Sequence, residues 1–318
     1  MQRSGATVAL KGFTPMQERR PNTLRALVDA YANKRLRRRD PATKQKFLFA
    51  INHWSDILQH EPLLQDLTDD LVNDLQDYLL EECDLAENTV AMYVKKILAL
   101  WRFAFHQRWV RKWPAVDLID PADPIPIAWT AGQLKILFRT LRSQSGYIGG
   151  VEARLWWPAQ HWMFWNTSER VRAVMSLRWE NVDLDGGFVT FPPSSRKGKR
   201  RGAVYQLGPQ CIEALRLIQE PNRDKVFPFP YCRDTLWNQY RAILKSAGLP
   251  HDRKHMYHCL RKSVASHMEA AGQSSTETLG HSDRSVTRRH YLDPRIVRTV
   301  QPANVLFDPE SGDGPRAA

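Results

Sequence analysis

Long apolar runs are missing from this sequence: none approaches the roughly 18 residues that a membrane-spanning helix needs, so such a helix is excluded. Residues 1–22 also lack the apolar centre of a secretory signal. Cysteine is scarce. Cys83, Cys211, Cys232 and Cys259 lie far apart with no Cys-x-x-Cys pair, which argues against a disulfide framework or a structural zinc site and fits a reducing cytoplasm. There is no internal repeat and no extended low-complexity segment. Negative charge is the minority, with 34 Asp and Glu against 46 Lys and Arg, a net charge of +12 and a pI of 9.7. What is present suffices for real cores: 42% of the residues are hydrophobic and only 25% charged, and 318 residues leave room for two domains at about 150 each.

The positive excess favours a polyanionic partner, nucleic acid first and an anionic membrane surface second. It is uneven. Residues 1–122 hold 18 basic and 16 acidic residues, a net of +2, whereas residues 123–318 hold 28 and 18, a net of +10. Acidic residues concentrate between Asp66 and Glu87, expected on a surface turned away from a polyanion. Two cation sets stand apart from the apolar pattern and are candidates to face phosphates: Lys34, Arg35, Arg37, Arg38 and Arg39, and the pair Lys95 and Lys96.

The spacing predicts a basic leader over 1–21 and a helical bundle over 22–118. Its expected helices carry Leu24, Leu27, Val28 and Tyr31; then Phe47, Ile51, Trp54 and Leu58, with Pro41 in the first turn; then Leu71, Leu75, Tyr78 and Leu79 within 67–82; then Val90, Val94, Ile97, Trp101 and Phe105, with Asn88 as N-cap. The prolines Pro121, Pro124 and Pro126 mark a linker over 119–127. A second, mostly helical domain is expected over 128–307. Thr130 caps a helix through Leu134, Ile136, Leu137 and Leu141. A Trp-rich buried stretch follows at 157–165. Asp185-Gly186-Gly187 signals a turn into a strand at 188–191, whose partner lies at 203–207. Between the strands, Ser194-Ser195-Arg196-Lys197-Gly198-Lys199-Arg200-Arg201 makes a cationic hairpin tip. Residues from 308 on are expected to be disordered. The fold class is therefore mainly α with a small β-sheet or hairpin in the second domain.

Four pieces of the second domain concentrate chemistry-bearing residues. They are Asn166-Thr167-Ser168-Glu169-Arg170-Val171-Arg172-Ala173, with Leu177 and Trp179 as core behind them; the cationic hairpin; His258-Cys259-Leu260-Arg261, whose His and Arg share one helix face; and Leu279-Gly280-His281-Ser282 followed by Thr287-Arg288-Arg289-His290-Tyr291. Each alone is weak. Together, and in this order, they resemble the tyrosine recombinase family, the phage-integrase type of site-specific DNA recombinase.

The resemblance implies a two-domain DNA clamp, a helical core-binding bundle followed by a catalytic domain. It implies Arg170, Lys197, His258, Arg261, His281 and Tyr291 as catalytic residues, with Lys199 competing for the hairpin position. Tyr291 matches the nucleophile of a 3′-phosphotyrosyl intermediate, His258 the acceptor of its proton, His281 a group bonded to the phosphate, and Lys197 the acid that protonates the departing 5′ oxygen. The residue types suit the task. Planar guanidinium groups bind two phosphate oxygens at once and keep their charge, and a phenol with an ordinary pKa of about 10 needs an acceptor when it attacks. The sequence departs from the family pattern in three places. Ala173 stands where an acidic residue is frequent, and Glu169 and Glu180 do not replace it by register. The segment between Gly272 and Leu279 is short. Tyr291 follows His281 by ten residues rather than nine.

The implied activity is DNA cutting and rejoining for integration or excision of a mobile element, in the cytoplasm on the nucleoid, with no cofactor and no metal. The implied partners are double-stranded DNA and further copies of the chain, assembled as a tetramer on two duplexes. The apolar residues after Tyr291, namely Ile296, Val297, Val300, Val305, Leu306 and Phe307, are expected to pack on their own domain or to dock into a neighbour. Two alternatives remain: a type IB topoisomerase-like nicking and resealing enzyme, and a non-catalytic DNA-binding protein with a degenerate site.

Overall fold

The computed structural model describes residues 20–37, 39–196 and 201–297. Most of the leader, Arg38, Lys197 and Lys199, and everything from residue 298 on, including the expected tail at 308–318, therefore lie outside the described residues. The chain divides after Ala122 into two compact units.

The first unit is built from amphipathic helices whose apolar stripes meet in one core. Helix α1, Leu24–Tyr31, is capped by the Thr23 hydroxyl, which accepts from the Ala26 amide at 3.2 Å, and it runs on into a single π turn at Ala32–Leu36. Helix α2, Pro41–Leu58, opens with Asp40 as cap and Pro41 in the first turn, where a missing N–H costs nothing. Helices α3, Asp69–Glu81, and α4, Glu87–His106, complete the bundle. Trp54, Trp101, Ile51, Leu75 and Leu79 are wholly buried between them. The α3 stripe differs from the expected one. Val72, Leu75, Gln76 and Leu79 face inward, while Leu71 and Tyr78 are half-buried. The polar Gln76 takes an inward place because it donates to the Asp117 carbonyl at 2.8 Å, which satisfies the amide as it is buried. Asn88 is not an N-cap. The helix begins two residues earlier than that cap would place it, the Ala86 carbonyl accepting from Thr89 and Val90, with Glu87 in the first turn where a carboxylate suits the helix dipole.

The second unit surrounds helix α6, Ala153–Thr167, which is buried at most positions as expected of a helix apolar on nearly every side. Around it pack α5, Ala131–Arg142; α7, Val171–Met175; α8, Pro209–Arg216; and α10, Tyr257–Ala270. Ile136 falls off the α5 stripe and is 43% exposed, and Trp179 is only half-buried. A two-residue hairpin pairs β1, Tyr147–Ile148, with β2, Val151–Glu152. A three-stranded antiparallel sheet runs β3, Val182–Asp183; β4, Phe188–Phe191; β5, Ala203–Gln206. Val189 and Phe191 point to the core while Phe188 and Thr190 face out, the period-2 alternation of a one-sided sheet. Gly187 supplies the positive φ of +73° that the turn into β4 requires. Helices α9, Arg233–Ser246, and α11, Arg284–Tyr291, finish the described chain.

Three hydrogen bonds fasten the entry of this unit to its end. The Ala128 amide donates to Asp293 Oδ2 at 2.8 Å, the Trp129 amide to Ser263 Oγ at 2.7 Å, and His267 Nε2 lies 3.0 Å from the Trp129 carbonyl. Among the described residues no helix is long and apolar enough to cross a membrane.

Candidate active site

Four local structures of the second unit deliver the site. The first is the α6–α7 turn. Ser168 ends α6 in the left-handed region at φ +46°, which reverses the chain so that Arg170 stands at the N-cap of α7. The second is α10, where His258 and Arg261 lie three residues apart near the helix start. The third is the turn at 278–281, with Gly280 at φ +67°. The fourth is α11, which ends at Tyr291.

These elements gather around one phenol. Tyr291 is 7% exposed. The His281 ring centroid lies 4.6 Å from the Tyr291 ring and that of His258 5.3 Å away, both edge-on, and the Arg261 guanidinium carbon sits 5.6 Å from the ring centroid. The backbone behind the phenol is held on both sides. Ser266 Oγ donates to the Tyr291 carbonyl at 3.2 Å and accepts from the Asp293 amide at 2.9 Å. Asp293, wholly buried, takes Arg295 Nη2 at 2.5 Å and the Ala128 amide. Burial raises its pKa, but Arg295 and the surrounding amides prevail and hold the carboxyl below its ordinary value.

Arg261 is a buried cation, 3% exposed. Its Nη1 donates to the Ser168 carbonyl and its Nη2 to the Leu279 carbonyl at 2.6 Å, so one guanidinium joins the first and third local structures. Its Nε has no partner among the described residues. Burial first, then Arg170, lowers its pKa, yet a guanidinium starts so high that it stays charged at neutral pH. Arg170 belongs to the same electrostatic site, because it also depresses both imidazoles. His258 falls from 6.5 to about 4 through burial first, then Lys262, Arg261, Arg170 and His281. His258 keeps an exposed face, so the surrounding cations contribute to the depression beside partial burial. His281 falls to about 4 through burial, Arg261, Arg170 and His290. Both rings are therefore neutral at pH 7 and able to take up a proton. His281 Nδ1 lies 3.0 Å from Thr287 Oγ1.

Of the expected site residues, the structure thus brings Arg170, His258, Arg261, His281 and Tyr291 together. Lys197 lies outside the described residues. The residue before it, Arg196, is inside the site's periphery and pairs with Glu169, which is 2% exposed. The sequence sets Glu169 aside, because its register does not match the acidic position three residues after Arg170, and gives no sign of its partners Arg196 and Tyr205. Sequence reasoning also passes over Thr287, for which a signal exists: Thr287 and Tyr291 are four apart on α11 and so share a face. Among the described residues no three His, Cys, Asp or Glu side chains group to hold a metal ion.

A phenol flanked by two neutral imidazoles and faced by guanidinium cations is the chemistry of a nucleophilic oxygen directed at an anionic ester. Known proteins agree with that class. Residues 23–118 match the phage integrase SAM-like domain and residues 161–296 the phage integrase family. The tyrosine recombinase XerC of Xanthomonas campestris pv. campestris is 30% identical over 151 residues, 44% of this chain and 46% of that protein, so the chain matches about half the length of this relative. The fold is shared with the Tn1549 transposon integrase in complex with circular intermediate DNA, at a TM-score of 0.66 and 10% identity over 85% of this chain and 95% of that one. It is shared as well with lambda integrase in a tetramer bound to a Holliday junction, at a TM-score of 0.64 and 15% identity over 86% and 82%. This chain belongs to the phage integrase family, the tyrosine recombinases.

Proposed function

We propose that the chain is a site-specific recombinase that cuts and rejoins duplex DNA for integration or excision of a mobile element. The observation that carries this is the packing of His258, His281 and Arg261 around the Tyr291 phenol. In this reading the Tyr291 oxygen attacks a backbone phosphorus and His258, neutral at pH 7, accepts the phenolic proton. Arg170 and Arg261 oppose the charge growing on the non-bridging oxygens, Arg261 through donors such as its unpaired Nε. With Thr287 donating to Nδ1, the remaining proton of His281 sits on Nε2, available to the phosphate. Lys197 protonates the departing 5′ oxygen. The products are a 3′-phosphotyrosyl ester and a free 5′ hydroxyl, and reversal by another strand's hydroxyl completes exchange without ATP.

The proposed organisation is a core-binding unit over 22–118, a linker over 119–127 and a catalytic unit over 128–307, with four copies acting on two duplexes. Cytoplasmic action on the nucleoid follows from the substrate. The net charge of +10 on residues 123–318 supports phosphate binding by the catalytic unit.

The test begins by selecting a bound site from a pool of random duplexes and nicking it so that a cleaved strand escapes. The full chain should become covalently attached, mass spectrometry should locate the DNA on Tyr291, and Tyr291→Phe should form no adduct. An adduct on another side chain, or one that persists in Tyr291→Phe, overturns the assignment. Exchange of strands between two intact site-bearing duplexes separates a recombinase from an enzyme that only nicks and reseals.

A further inference from the structure

The buried carboxylate beside Arg170 has no part in the chemistry just described, yet two residues of the β4–β5 hairpin converge on it. Glu169 Oε1 accepts from Arg196 Nε at 2.6 Å, and the Tyr205 hydroxyl lies 2.9 Å from the same oxygen. Glu169 Oε2 lies 3.3 Å from the Arg170 amide. A carboxylate taken out of water is costly unless paired and hydrogen-bonded, so these partners are fixed by it as much as it is by them. Each partner also reaches onward. The Tyr205 hydroxyl is 3.2 Å from the Thr278 carbonyl. Arg196 Nη1 closes the base of the β4–β5 hairpin on the Arg201 and Gly202 carbonyls, at 3.3 and 3.2 Å. Its Nη2 lies against Gly280, where an added Cβ would stand only 2.9 Å away. The segment so gripped, 278–280, leads directly into His281 and supplies the Leu279 carbonyl that anchors Arg261.

We infer that Glu169, Arg196 and Tyr205 form a positioning cluster that sets His281, and with it the Arg261 anchor, against the Tyr291 phenol. None of the three touches the phosphate in this account; they act by fixing the place of groups that do. Burial first, and then the Glu169 charge, raise the Tyr205 pKa, so its hydroxyl keeps the proton it shares between Glu169 and Thr278. The inference rests on the reading of His281 as a phosphate-facing group.

The experiment measures single-turnover cleavage of the nicked, selected duplex by the full chain, with DNA affinity and melting temperature recorded for each variant. Tyr205→Phe and Glu169→Gln, which keep shape and volume, should cleave roughly 10- to 100-fold more slowly, the penalty of a small misplacement, with DNA affinity near that of the parent. Arg196→Lys, which keeps a cation for Glu169, should recover part of the rate that Arg196→Ala loses. The deciding arm is Tyr205→Phe combined with His281→Ala. If the cluster works through His281, the Tyr205→Phe loss should shrink to less than about threefold in that background, because coupled residues are not additive. Full additivity overturns the inference and leaves the site assignment standing. Wild-type cleavage by His281→Ala alone removes the reading beneath it and the inference with it. A Tyr205→Phe rate that falls only in proportion to lost folded protein also overturns it.

Discussion

The two units bury different things. Among the described residues the first unit encloses only two polar side chains, Asp66 and Gln76, and both serve its own backbone: Asp66 accepts from the Leu63 amide and Gln76 donates to the Asp117 carbonyl. The second unit encloses Glu169, Arg261, Asp293, His161, Thr287 and several serines and threonines, and all but His161 among these named residues lie within reach of Tyr291 or of the segments that hold it. Burying a polar group without benefit is selected against by its desolvation cost, so a concentration of them marks where geometry matters more than stability. The bundle is a core that happens to carry cations on its outside. Lys34 and Lys96 lie over the rings of Phe103 and Phe47, and burial together with Lys46 lowers the Lys96 pKa. The second unit is a core organised around a site.

The sharpest way to break this contrast is to damage each unit and compare what fails. Trp101, wholly buried in α4 with its indole donating to the Lys112 carbonyl at 2.8 Å, is one of two wholly buried tryptophans in the bundle. Trp101→Ala should cost about 3–5 kcal/mol of stability, seen as lost amide protection in the bundle, yet leave cleavage per folded molecule near the parent rate. In the second unit the balance should reverse. Arg261→Ala should lower single-turnover cleavage by roughly 10²–10³ while DNA is still bound, and Arg261→Lys should recover only part, since an ammonium cannot span the Ser168 and Leu279 carbonyls as a planar fork does. Near-normal cleavage by Arg261→Ala would erase the distinction drawn here.

His161 tests the contrast from another side, since it is a buried titratable group that the chemistry does not use. It sits on α6 with no exposed surface, its Nδ1 2.9 Å from the Trp157 carbonyl, and its ring among Tyr240, Tyr257 and Phe164. Burial lowers its pKa from 6.5 to about 4. Between those values the unfolded chain binds the proton and the folded one does not, so stability is greatest above pH 6.5 and falls as the pH drops toward 4. The loss from His161 alone should approach about 3 kcal/mol. His258 and His281 act in the same direction. His161→Phe should flatten the slope of unfolding free energy over pH 4 to 6.5 and leave the cleavage rate at pH 7 unchanged; an unaltered slope would show that the ring is already protonated in the folded state.

Much of this was readable in the chain before its fold. The apolar spacing of α1, α2 and α4 places their buried faces, because a stripe of Leu, Val, Ile and Trp with few competitors has one phase. The phase of α3 is ambiguous in sequence because Leu75 and Leu79 belong to both candidate stripes, and the choice between Tyr78 and Gln76 depends on a carbonyl 41 residues away. At the site, His258 and Arg261, or His281 and Tyr291, announce themselves as clusters of reactive groups within short segments. Glu169 does not. A carboxylate next to an arginine reads as local charge balance, and only the folded chain shows that its partners are Arg196 and Tyr205 rather than its neighbour's guanidinium. Long-range pairing of single residues leaves no period in a sequence, which is why the supporting parts of a site are the last to be legible.

The smallest effect expected here probes where the two kinds of burial meet. Thr130 caps α5 in a reciprocal box, its hydroxyl accepting from the Gln133 amide at 3.3 Å while Gln133 Oε1 accepts from the Thr130 amide at 3.0 Å. Thr130→Ala should cost about 1 kcal/mol, and Thr130→Ser almost nothing, both measured by denaturant unfolding. The residues just before the cap are not ordinary scaffold, however. Ala128 is tied to Asp293 and Trp129 to Ser263 and His267, and Asp293 shares the Ser266 hydroxyl with the carbonyl of Tyr291. If the cap serves only α5, cleavage by folded Thr130→Ala should match the parent. A fall in cleavage that exceeds the fall in folded protein would show that the strain of a frayed cap travels through Ala128 and Asp293 to the phenol, and that the boundary between scaffold and site lies one residue earlier in the chain than the helix does.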